Sequence, residues 1–421
     1  MKKSLLFTIL PLVFLLSLFL NQKDSTTIKT NPAIWDIRAV DTMKSSRDKA
    51  RSWNTAPDLE EKIDAQMSAI KTMGANYVTI DTPYDNEFLP YLSAWIKGAR
   101  SHNLHVWFRG NWSAWEGWFD YPKNLVPIQH LQKTDIFIQS HPEFFADGDI
   151  FDPCPECENS GNWNQPEDNA LFNKFLIDQY LMSKKAFESM GKKVHTNIFS
   201  IIGGRAKEVL DEKTIATLDN TVTIDHYVAD TATMTEYLDY FAKLKAKIVI
   251  GEFGAPIPDI NGSMNEDEQA EFVDAIFKEL YRYKDTVVGV NYYVLTEGTT
   301  SLLNSDLTPR KVAAVVQNYF IPGIVRGQIK NTLGEPIKEA TIKTTDGLQK
   351  TTSDANGFYE MAIPASSVQI IYDADVYKTK TLNLSLKQNG EYEENIILQP
   401  TQSGILYKIK LFFKELYKNA K

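Results

Sequence analysis

The sequence predicts a (β/α)8, or TIM, barrel followed by a small C-terminal β-sandwich. Eight short runs of β-branched and aromatic residues alternate with helix-spaced segments before Pro322, which is the element order of an α/β barrel. No glycine-rich phosphate-binding motif follows any of these runs, so an open nucleotide-binding sheet is not favoured. Between residues 323 and 400 the pattern changes to short alternating strands separated by turn residues.

The barrel is expected to occupy residues 33–322. Its predicted strands are Ile34–Val40, Tyr77–Asp81, His105–Phe108, Asp149–Glu158, Lys193–Ser200, Val222–Tyr227, Lys247–Gly254 and Val287–Val294. Apolar residues at three- and four-residue spacing predict helices between most of these strands. The predicted helices are Asp58–Met73, Phe88–His102, Ile128–Ser140, Asn169–Met190, Met234–Leu244, Glu266–Tyr283 and Pro309–Tyr319.

Residues 323–400 form the predicted sandwich. Its strands are expected at Ile324–Ile329, Ala340–Thr344, Gly357–Ile363, Ser367–Tyr372 and Tyr392–Leu398. The segment resembles the carboxypeptidase-regulatory-like, or prealbumin-type, domains of exported proteins, on the pattern VRGQIKNTLGEPIKEATIKTTDGLQKTTSDANGFYEMAIP. The resemblance implies a stalk or accessory module without chemistry of its own.

The N-terminus predicts export. Met1-Lys2-Lys3 precedes an apolar run that extends to Leu20, and a polar linker follows at residues 21–32. A basic start followed by an apolar run is typical of an export signal. No small-residue cleavage motif follows, so a retained membrane anchor is favoured and a cleaved signal peptide is the alternative. The folded part is therefore expected at the cell surface, in the periplasm or secreted.

The C-terminal segment 404–421 predicts a basic amphipathic helix. Ile405, Ile409, Phe412 and Leu416 share one helical face, and lysines occupy another. Such a helix can lie on an anionic membrane surface. Packing against the sandwich or the barrel is the alternative.

Composition and cysteine content exclude several classes of function. The net charge is −9, which argues against a nucleic-acid partner because phosphate binding needs a basic face. The two cysteines, Cys154 and Cys157, cannot complete a tetrahedral zinc site alone. Neither a metal nor an organic cofactor is expected. In an exported protein the pair is expected as a local disulfide or as two free thiols.

Three glutamates are the candidate catalytic residues. Glu252 ends predicted strand seven, KIVIGEFG, between two glycines. Barrels of this kind place catalytic groups at the C-terminal ends of their strands. Glu156 and Glu158 follow strand four at the same rim. Two carboxylates that flank a bond are the minimum for glycoside hydrolysis.

Residues 33–320 resemble the clan A retaining glycoside hydrolases, the cellulase-like barrels. The motif IGEFG at Ile250–Gly254 is similar to their strand-seven motif. The resemblance implies that Glu252 is the nucleophile and that a glutamate after strand four is the acid/base. That glutamate usually follows an asparagine, whereas Pro155 precedes Glu156 and Cys157 precedes Glu158. Glu156 is favoured because it lies nearer the strand end, and Glu158 remains the alternative.

Polar and aromatic residues beside these strand ends are candidates for substrate binding. They are Arg109, Asn111, Trp112, Trp115, Asn159, His226, Tyr227 and Tyr292. Indoles on the rim, with Trp118 and Trp163 in the same loops, could stack on the apolar faces of sugars. Arg109 could hold Glu252 ionised, and His226 or Tyr227 could hydrogen-bond it. A structural salt bridge and a packed histidine are the alternatives.

The sequence therefore predicts an exported retaining glycoside hydrolase that cleaves O-glycosidic bonds of a poly- or oligosaccharide or a glycoconjugate. Its partner is a carbohydrate, and membrane association is expected through the N-terminal segment and the C-terminal helix. Two alternatives remain. One is a non-catalytic glycan-binding or envelope surface protein on a barrel scaffold, and the other is an envelope transglycosidase.

Overall fold

The computed structural model describes residues 33–159 and 168–401. The predictions for residues 1–20, for the linker 21–32, for the C-terminal helix 404–421 and for Trp163 fall outside these residues. Across the described ranges, no helix has the length and the apolar content that crossing a bilayer requires.

Eight parallel strands form the barrel, as predicted. They are β1 Ile37–Asp41, β2 Tyr77–Ile80, β3 His105–Phe108, β4 Ile150–Phe151, β5 Ser200–Ile202, β6 Thr221–Asp225, β7 Lys247–Phe253 and β8 Val287–Tyr292. Neighbouring strands pair in the order β4-β3-β2-β1-β8-β7-β6-β5. The two ends of this sheet meet where Ile150 forms a parallel bridge with His195.

Seven long helices pack around the strands. They are Leu59–Thr72, Leu89–Ser101, Pro127–Ser140, Asn169–Ser189, Thr231–Lys243, Glu266–Arg282 and Lys311–Phe320. Helix Glu266–Arg282 shows how local sequence sets a boundary, because Asn265 and Glu268 form a reciprocal capping box at its start. Shorter α-helices lie at Met43–Ser46, Ala50–Trp53, Ser113–Glu116, Gly203–Val209, Glu212–Thr217 and Pro258–Asn261.

Strand five is where the sequence prediction was wrong. The predicted strand Lys193–Ser200 contributes little more than the bridge of His195, and the paired strand begins at Ser200 opposite Thr223. The two helices between β5 and β6 were also missed. They are too short to show a periodic apolar face, and Gly203 and Gly204 suggest a loop.

The C-terminal region is an antiparallel β-rich structure with its own core. Its strands are β9 Gly323–Asn331, β10 Thr341–Thr344, β11 Lys350–Thr352, β12 Phe358–Ile363, β13 Ser367–Asp373, β14 Lys380–Ser385, β15 Glu391–Glu393 and β16 Ile396–Leu398. One sheet has the order β11-β10-β13-β14, and the other has β12-β9-β15 with β16 beside β9. Val325, Ile342 and Ile370 lie in the core between the sheets. Strands β11 and β14 were not predicted.

Candidate active site

The barrel interior changes from apolar to polar along the strands. Every second residue of a strand points inward. One interior layer is the apolar cluster of Ile37, Ala39, Tyr77, Trp107, Ile150, Ile198 and Val249. Nearer the C-terminal ends of the strands, the inward-pointing positions are occupied by buried polar residues. They are Asp41, Asp81, Arg109, Asp152, Asp225 and Asn291. The C-terminal mouth is therefore built from charged groups.

Glu252 reaches this mouth through an irregularity in β7. Val249 lies in the interior layer, so strict alternation would direct Gly251 rather than Glu252 inward. The register between β6 and β7 shifts just before Asp225, which pairs with Glu252, and a bulge of this kind re-aims a side chain. A Cβ on Gly251 would lie 2.3 Å from Asp225 Oδ1. Glycine is therefore required beside this buried carboxylate.

Arg109 is the cation at the centre of the site. Its Nη1 donates to Glu252 Oε1, and its Nη2 donates to Asp225 Oδ2 at 2.5 Å. Arg109 is 1% exposed. Burial alone lowers the pKa of Arg109, but the charges of Asp225 and Glu252 outweigh it and keep that pKa well above its ordinary value. Arg109 therefore remains charged and orients two carboxylates at once.

Tyr227 holds the other oxygen of Glu252. The Tyr227 hydroxyl donates to Glu252 Oε2 at 2.5 Å. His226 does not reach this carboxylate, because its ring packs 4.2 Å from the ring centre of Tyr237. Burial lowers the pKa of His226 to about 4. Of the two residues proposed to bond Glu252, only the tyrosine does so.

The carboxyl of Glu156 has a strongly raised pKa. Burial and then the charge of Glu252 raise the pKa of Glu156 to about 8. A carboxyl with this pKa is still protonated at neutral pH, which is the state that proton donation requires. Asn159 lies beside it, and its Nδ2 donates to Glu156 Oε2 at 3.3 Å.

The Glu158 carboxyl is enclosed by the protein, so the prediction of Glu158 as the alternative acid/base is corrected. Its side chain is 0% exposed, and its Oε1 accepts a hydrogen bond from the backbone N–H of Ile202 at 2.5 Å. Burial raises the pKa of Glu158 to about 7. A carboxylate enclosed in this way holds the end of β5 and cannot donate a proton to a substrate.

Three predicted sugar-binding aromatic residues are core residues instead. Trp112 is 5% exposed, Trp115 is 1% exposed and Tyr292 is 0% exposed. The indole of Trp115 stacks on Phe175 with ring centres 5.7 Å apart. The Tyr292 hydroxyl donates to the carbonyl oxygen of Thr300 at 2.9 Å. A ring needs an exposed face to stack on a sugar, so these positions do not fit that role.

Asn111 is likewise enclosed rather than open to a substrate. It is 0% exposed. Its Nδ2 donates to Glu116 Oε1 at 2.6 Å, and its Oδ1 lies 2.8 Å from His130 Nε2. Its predicted role in substrate binding is corrected to support of the loop that follows β3.

The two cysteines form a disulfide, one of the two states expected from the sequence. His130, Cys154 and Cys157 offer potential ligand atoms within 4.8 Å of one another. The two sulfurs are bonded to each other. The ring nitrogens of His130 form hydrogen bonds with Asn111 and Gln179. Burial lowers the pKa of His130 to about 3. We therefore assign this cluster to the packing beneath the site.

Three buried aspartates of the mouth, Asp41, Asp152 and Asp225, were not predicted as site residues. Burial raises the pKa of Asp41 to about 7 and that of Asp152 to about 6. Asp152 Oδ2 accepts hydrogen bonds from both the backbone N–H and the hydroxyl of Ser200. Asp225 is held by Arg109, as described above. The sequence signal was available, because each aspartate continues the inward phase of its strand.

Among the described residues, Tyr293 after β8 and Trp118 after β3 are partly exposed, as is Tyr227. The rings of Tyr293 and Tyr227 lie 6.0 Å apart at their centres. Burial and the charges of Asp41 and Glu252 raise the pKa of Tyr293. The guanidinium of Arg47 lies 4.8 Å from the ring centre of Trp118.

Comparison with known proteins gives structural similarity only. No family model and no curated protein matches the sequence. GH5_18 from Streptomyces cattleya, in complex with GlcNAc, matches with a TM-score of 0.52 over 72% of this chain and 84% of that chain, at 13% identity. Native xylanase 10B from Thermotoga maritima matches with a TM-score of 0.45 over 68% of this chain and 95% of that chain, at 13% identity. The family 5 xyloglucanase from Paenibacillus pabuli matches with a TM-score of 0.45 over 61% of this chain and 89% of that chain, at 14% identity.

At 13% identity, the first similarity shows the fold alone, which is a (β/α)8 barrel. The other two add nothing to that conclusion. The chemistry must therefore be argued from the site itself.

Proposed function

We propose that this chain is a retaining glycoside hydrolase that cleaves O-glycosidic bonds of a poly- or oligosaccharide or a glycoconjugate. The observation that carries the proposal is the contrast between two glutamates at one barrel mouth. Glu252 accepts hydrogen bonds from Arg109 and Tyr227. The charge of Glu252 helps to raise the pKa of Glu156 to about 8. One carboxylate is thus arranged to attack, and the other to donate a proton.

In the first step Glu252 attacks the anomeric carbon and forms a covalent glycosyl ester. Glu156 gives its proton to the departing oxygen, which leaves as an alcohol. Arg109 and Tyr227 keep the Glu252 carboxylate oriented during the attack. Their bonds to its two oxygens limit rotation of the nucleophile, which reduces the entropic part of the barrier.

In the second step Glu156, now ionised, removes a proton from water, and the water oxygen attacks the same anomeric carbon. The ester to Glu252 breaks, and the sugar leaves with its original anomeric configuration. Glu156 regains the proton that it lost in the first step. Each of the two steps inverts the configuration at the anomeric carbon, so the product keeps the original configuration.

The test uses a panel of aryl glycosides and soluble polysaccharides with the wild-type protein and three variants. Glu252→Gln and Glu156→Gln remove the two proposed roles, and Glu158→Gln is the matched control two residues further along the chain. We expect the first two to lose activity by about 10²-fold or more and the control to keep it. NMR of the first-formed product should show the retained anomer. Bound sugar without turnover would favour the glycan-binding alternative, and transfer to an added acceptor sugar would favour the transglycosidase.

We also propose that residues 1–20 direct export and anchor the barrel at a membrane, on the basic start and apolar run described above. Fractionation of expressing cells, with and without residues 1–20, tests this. The full chain is expected in the membrane fraction and accessible to external protease. Recovery of the full chain from the cytosol would contradict the proposal.

A further inference from the structure

The disulfide encloses the proposed general acid. Cys154 and Cys157 are joined to each other, and Pro155 and Glu156 are the two residues between them. Both cysteines are buried, at 0% and 1% exposure. A loop of four residues gains little from closure in the unfolded chain, because the entropy removed grows with loop length. The position of the disulfide around Glu156 therefore indicates its role better than a general gain in stability does.

Glu156 has an unfavourable backbone conformation. Its φ is +50°, in the left-handed region, which costs an L-residue with a Cβ free energy. Its backbone N–H donates to the carbonyl oxygen of Ser200 at 2.8 Å, and its own carbonyl oxygen accepts from the N–H of Asn159 at 2.9 Å. Pro155 directly precedes Glu156 in the loop, and its ring fixes its own φ. Local restraint therefore acts on both sides of Glu156.

The disulfide is itself attached to the scaffold. Asn111 Nδ2 lies 3.5 Å from Cys154 Sγ. The Asn111 side chain is held by His130, and His130 in turn by Gln179, in contacts of 2.8 Å each. These partners lie on the loop after β3 and on helices Pro127–Ser140 and Asn169–Ser189. The closed loop is thus anchored to three elements of the barrel outside the loop itself.

We propose that the Cys154–Cys157 disulfide is a positioning element that holds the Glu156 carboxyl toward Glu252. This inference rests on the proposed function, in which Glu156 is the acid/base. When the disulfide is closed, the left-handed turn at Glu156 is maintained and its carboxyl remains near the nucleophile. When the disulfide is opened, Glu156 relaxes toward an ordinary backbone conformation. Glu156 then no longer donates a proton, although the barrel remains folded.

Opening requires a reductant, and a dithiol supplies it. One thiolate of the dithiol attacks a cysteine sulfur, the sulfur–sulfur bond breaks, and a mixed disulfide forms. The second dithiol sulfur displaces the remaining cysteine. Two electrons and two protons pass to the protein as two thiols, and the dithiol becomes a cyclic disulfide. Cys154 and Cys157 are the only cysteines of the sequence, so the reagent has no other target bond in the protein.

The activity test compares two leaving groups in two forms of the full chain. The forms are Cys154→Ala/Cys157→Ala and wild type reduced with dithiothreitol. A dinitrophenyl glycoside departs with little need for protonation, whereas an alkyl glycoside needs the acid. We expect kcat/KM, which reports cleavage of the glycosidic bond and not the later hydrolysis of the ester, to fall about tenfold or more for the alkyl glycoside and less than about threefold for the dinitrophenyl glycoside. An equal fall for both substrates would overturn the proposal, because it indicates general damage.

A second readout does not depend on turnover. The carboxyl carbon of Glu156 is followed by NMR during a pH titration, with its signal assigned by its loss in Glu156→Gln. The pKa is expected near 8 with the disulfide closed, and near the ordinary value once it is open. The same titration in both states would overturn the proposal. If no glycoside is cleaved by the wild type, the proposed function fails while this titration still tests the positioning.

Folding is monitored by near-ultraviolet circular dichroism in both forms. If the double alanine variant does not fold, the reduced wild type, whose side chains are otherwise unchanged, provides the comparison. Loss of the folded signal in both forms would also overturn the proposal. In that case the disulfide is needed for the fold as a whole rather than for the placement of one side chain.

Discussion

Replacement of Glu158 by glutamine makes a quantitative prediction about stability. The Glu158 carboxyl is fully buried and accepts a hydrogen bond from the backbone of Ile202. A glutamine keeps the accepting oxygen and the size of the side chain, but it cannot ionise. The variant therefore behaves as a permanently neutral form of the wild-type residue.

The magnitude follows from the pKa of the wild-type side chain. Burial raises the pKa of Glu158 from 4.5 to about 7, so the folded state holds this proton more tightly than the unfolded state does. The contribution to stability is complete below about pH 4.5 and is lost as pH rises to about 7. At 1.36 kcal/mol per pKa unit, the loss is about 3 kcal/mol. The glutamine variant should therefore match the wild type near pH 4 and exceed its free energy of unfolding by about 3 kcal/mol near pH 8.

Urea denaturation of both proteins between pH 4 and pH 9 measures this difference. Other buried carboxyls that do not interact with Glu158, such as Asp41, titrate in both proteins and cancel in the comparison. Glu360→Gln, at an exposed position of β12, is the matched control for the same substitution at the surface. If the Glu158→Gln difference does not rise with pH relative to this control, the structural role given to Glu158 is wrong.

Three further predictions concern activity and packing. Because the pKa of Glu156 is raised to about 8, kcat/KM for a substrate with a poor leaving group should fall above pH 8, and a profile without this basic limb would contradict its role as acid. Tyr227→Phe removes a hydrogen bond to the charged carboxylate of Glu252, so kcat should fall about tenfold or more with little change in melting temperature; unchanged kcat would refute this role. Trp115→Ala removes a buried indole stacked on Phe175, so urea denaturation should show a loss of about 3–5 kcal/mol. A loss of saccharide affinity without a loss of stability would show instead that Trp115 contacts the ligand.

The location of Glu252 could be predicted because it depends on local sequence. A buried strand that ends in a glycine-flanked carboxylate is visible in KIVIGEFG. The bulge that turns Glu252 inward could not be predicted, because it arises from the pairing of β7 with β6. The need for Gly251 also depends on Asp225, which lies on the neighbouring strand.

The choice between Glu156 and Glu158 depended on the backbone beyond β4. In a regular strand two residues that are two positions apart point the same way, but β4 ends at Phe151 and Glu158 lies in a 3₁₀ turn at Cys157–Asn159. Glu156 precedes this turn with a left-handed φ; the charge of Glu252 acts on its carboxyl, whereas the carboxyl of Glu158 is enclosed beside β5. Glutamate is not a residue type that predicts a left-handed conformation, so the sequence could only favour one of the two.

The tryptophans after β3 were misassigned because their burial is decided by distant elements. Gly117 and the lack of a helical face suggested an open loop. The structure has a short helix at Ser113–Glu116, and Trp115 packs on Phe175 of helix Asn169–Ser189. The prediction of strand five was wrong for a related reason. Alternation in residues 193–200 resembles a strand, but strand pairing with β6 begins only at Ser200.

The most direct test of the account is covalent trapping of the nucleophile. The wild-type protein is incubated with a panel of activated 2-deoxy-2-fluoro glycosides, which slow the release of a glycosyl ester, and is then digested for mass spectrometry. The account predicts that one of these reagents adds a single sugar to the peptide that contains Glu252, and that Glu252→Gln abolishes the label. A label on another carboxylate, or turnover of natural glycosides with an inverted product, would contradict it.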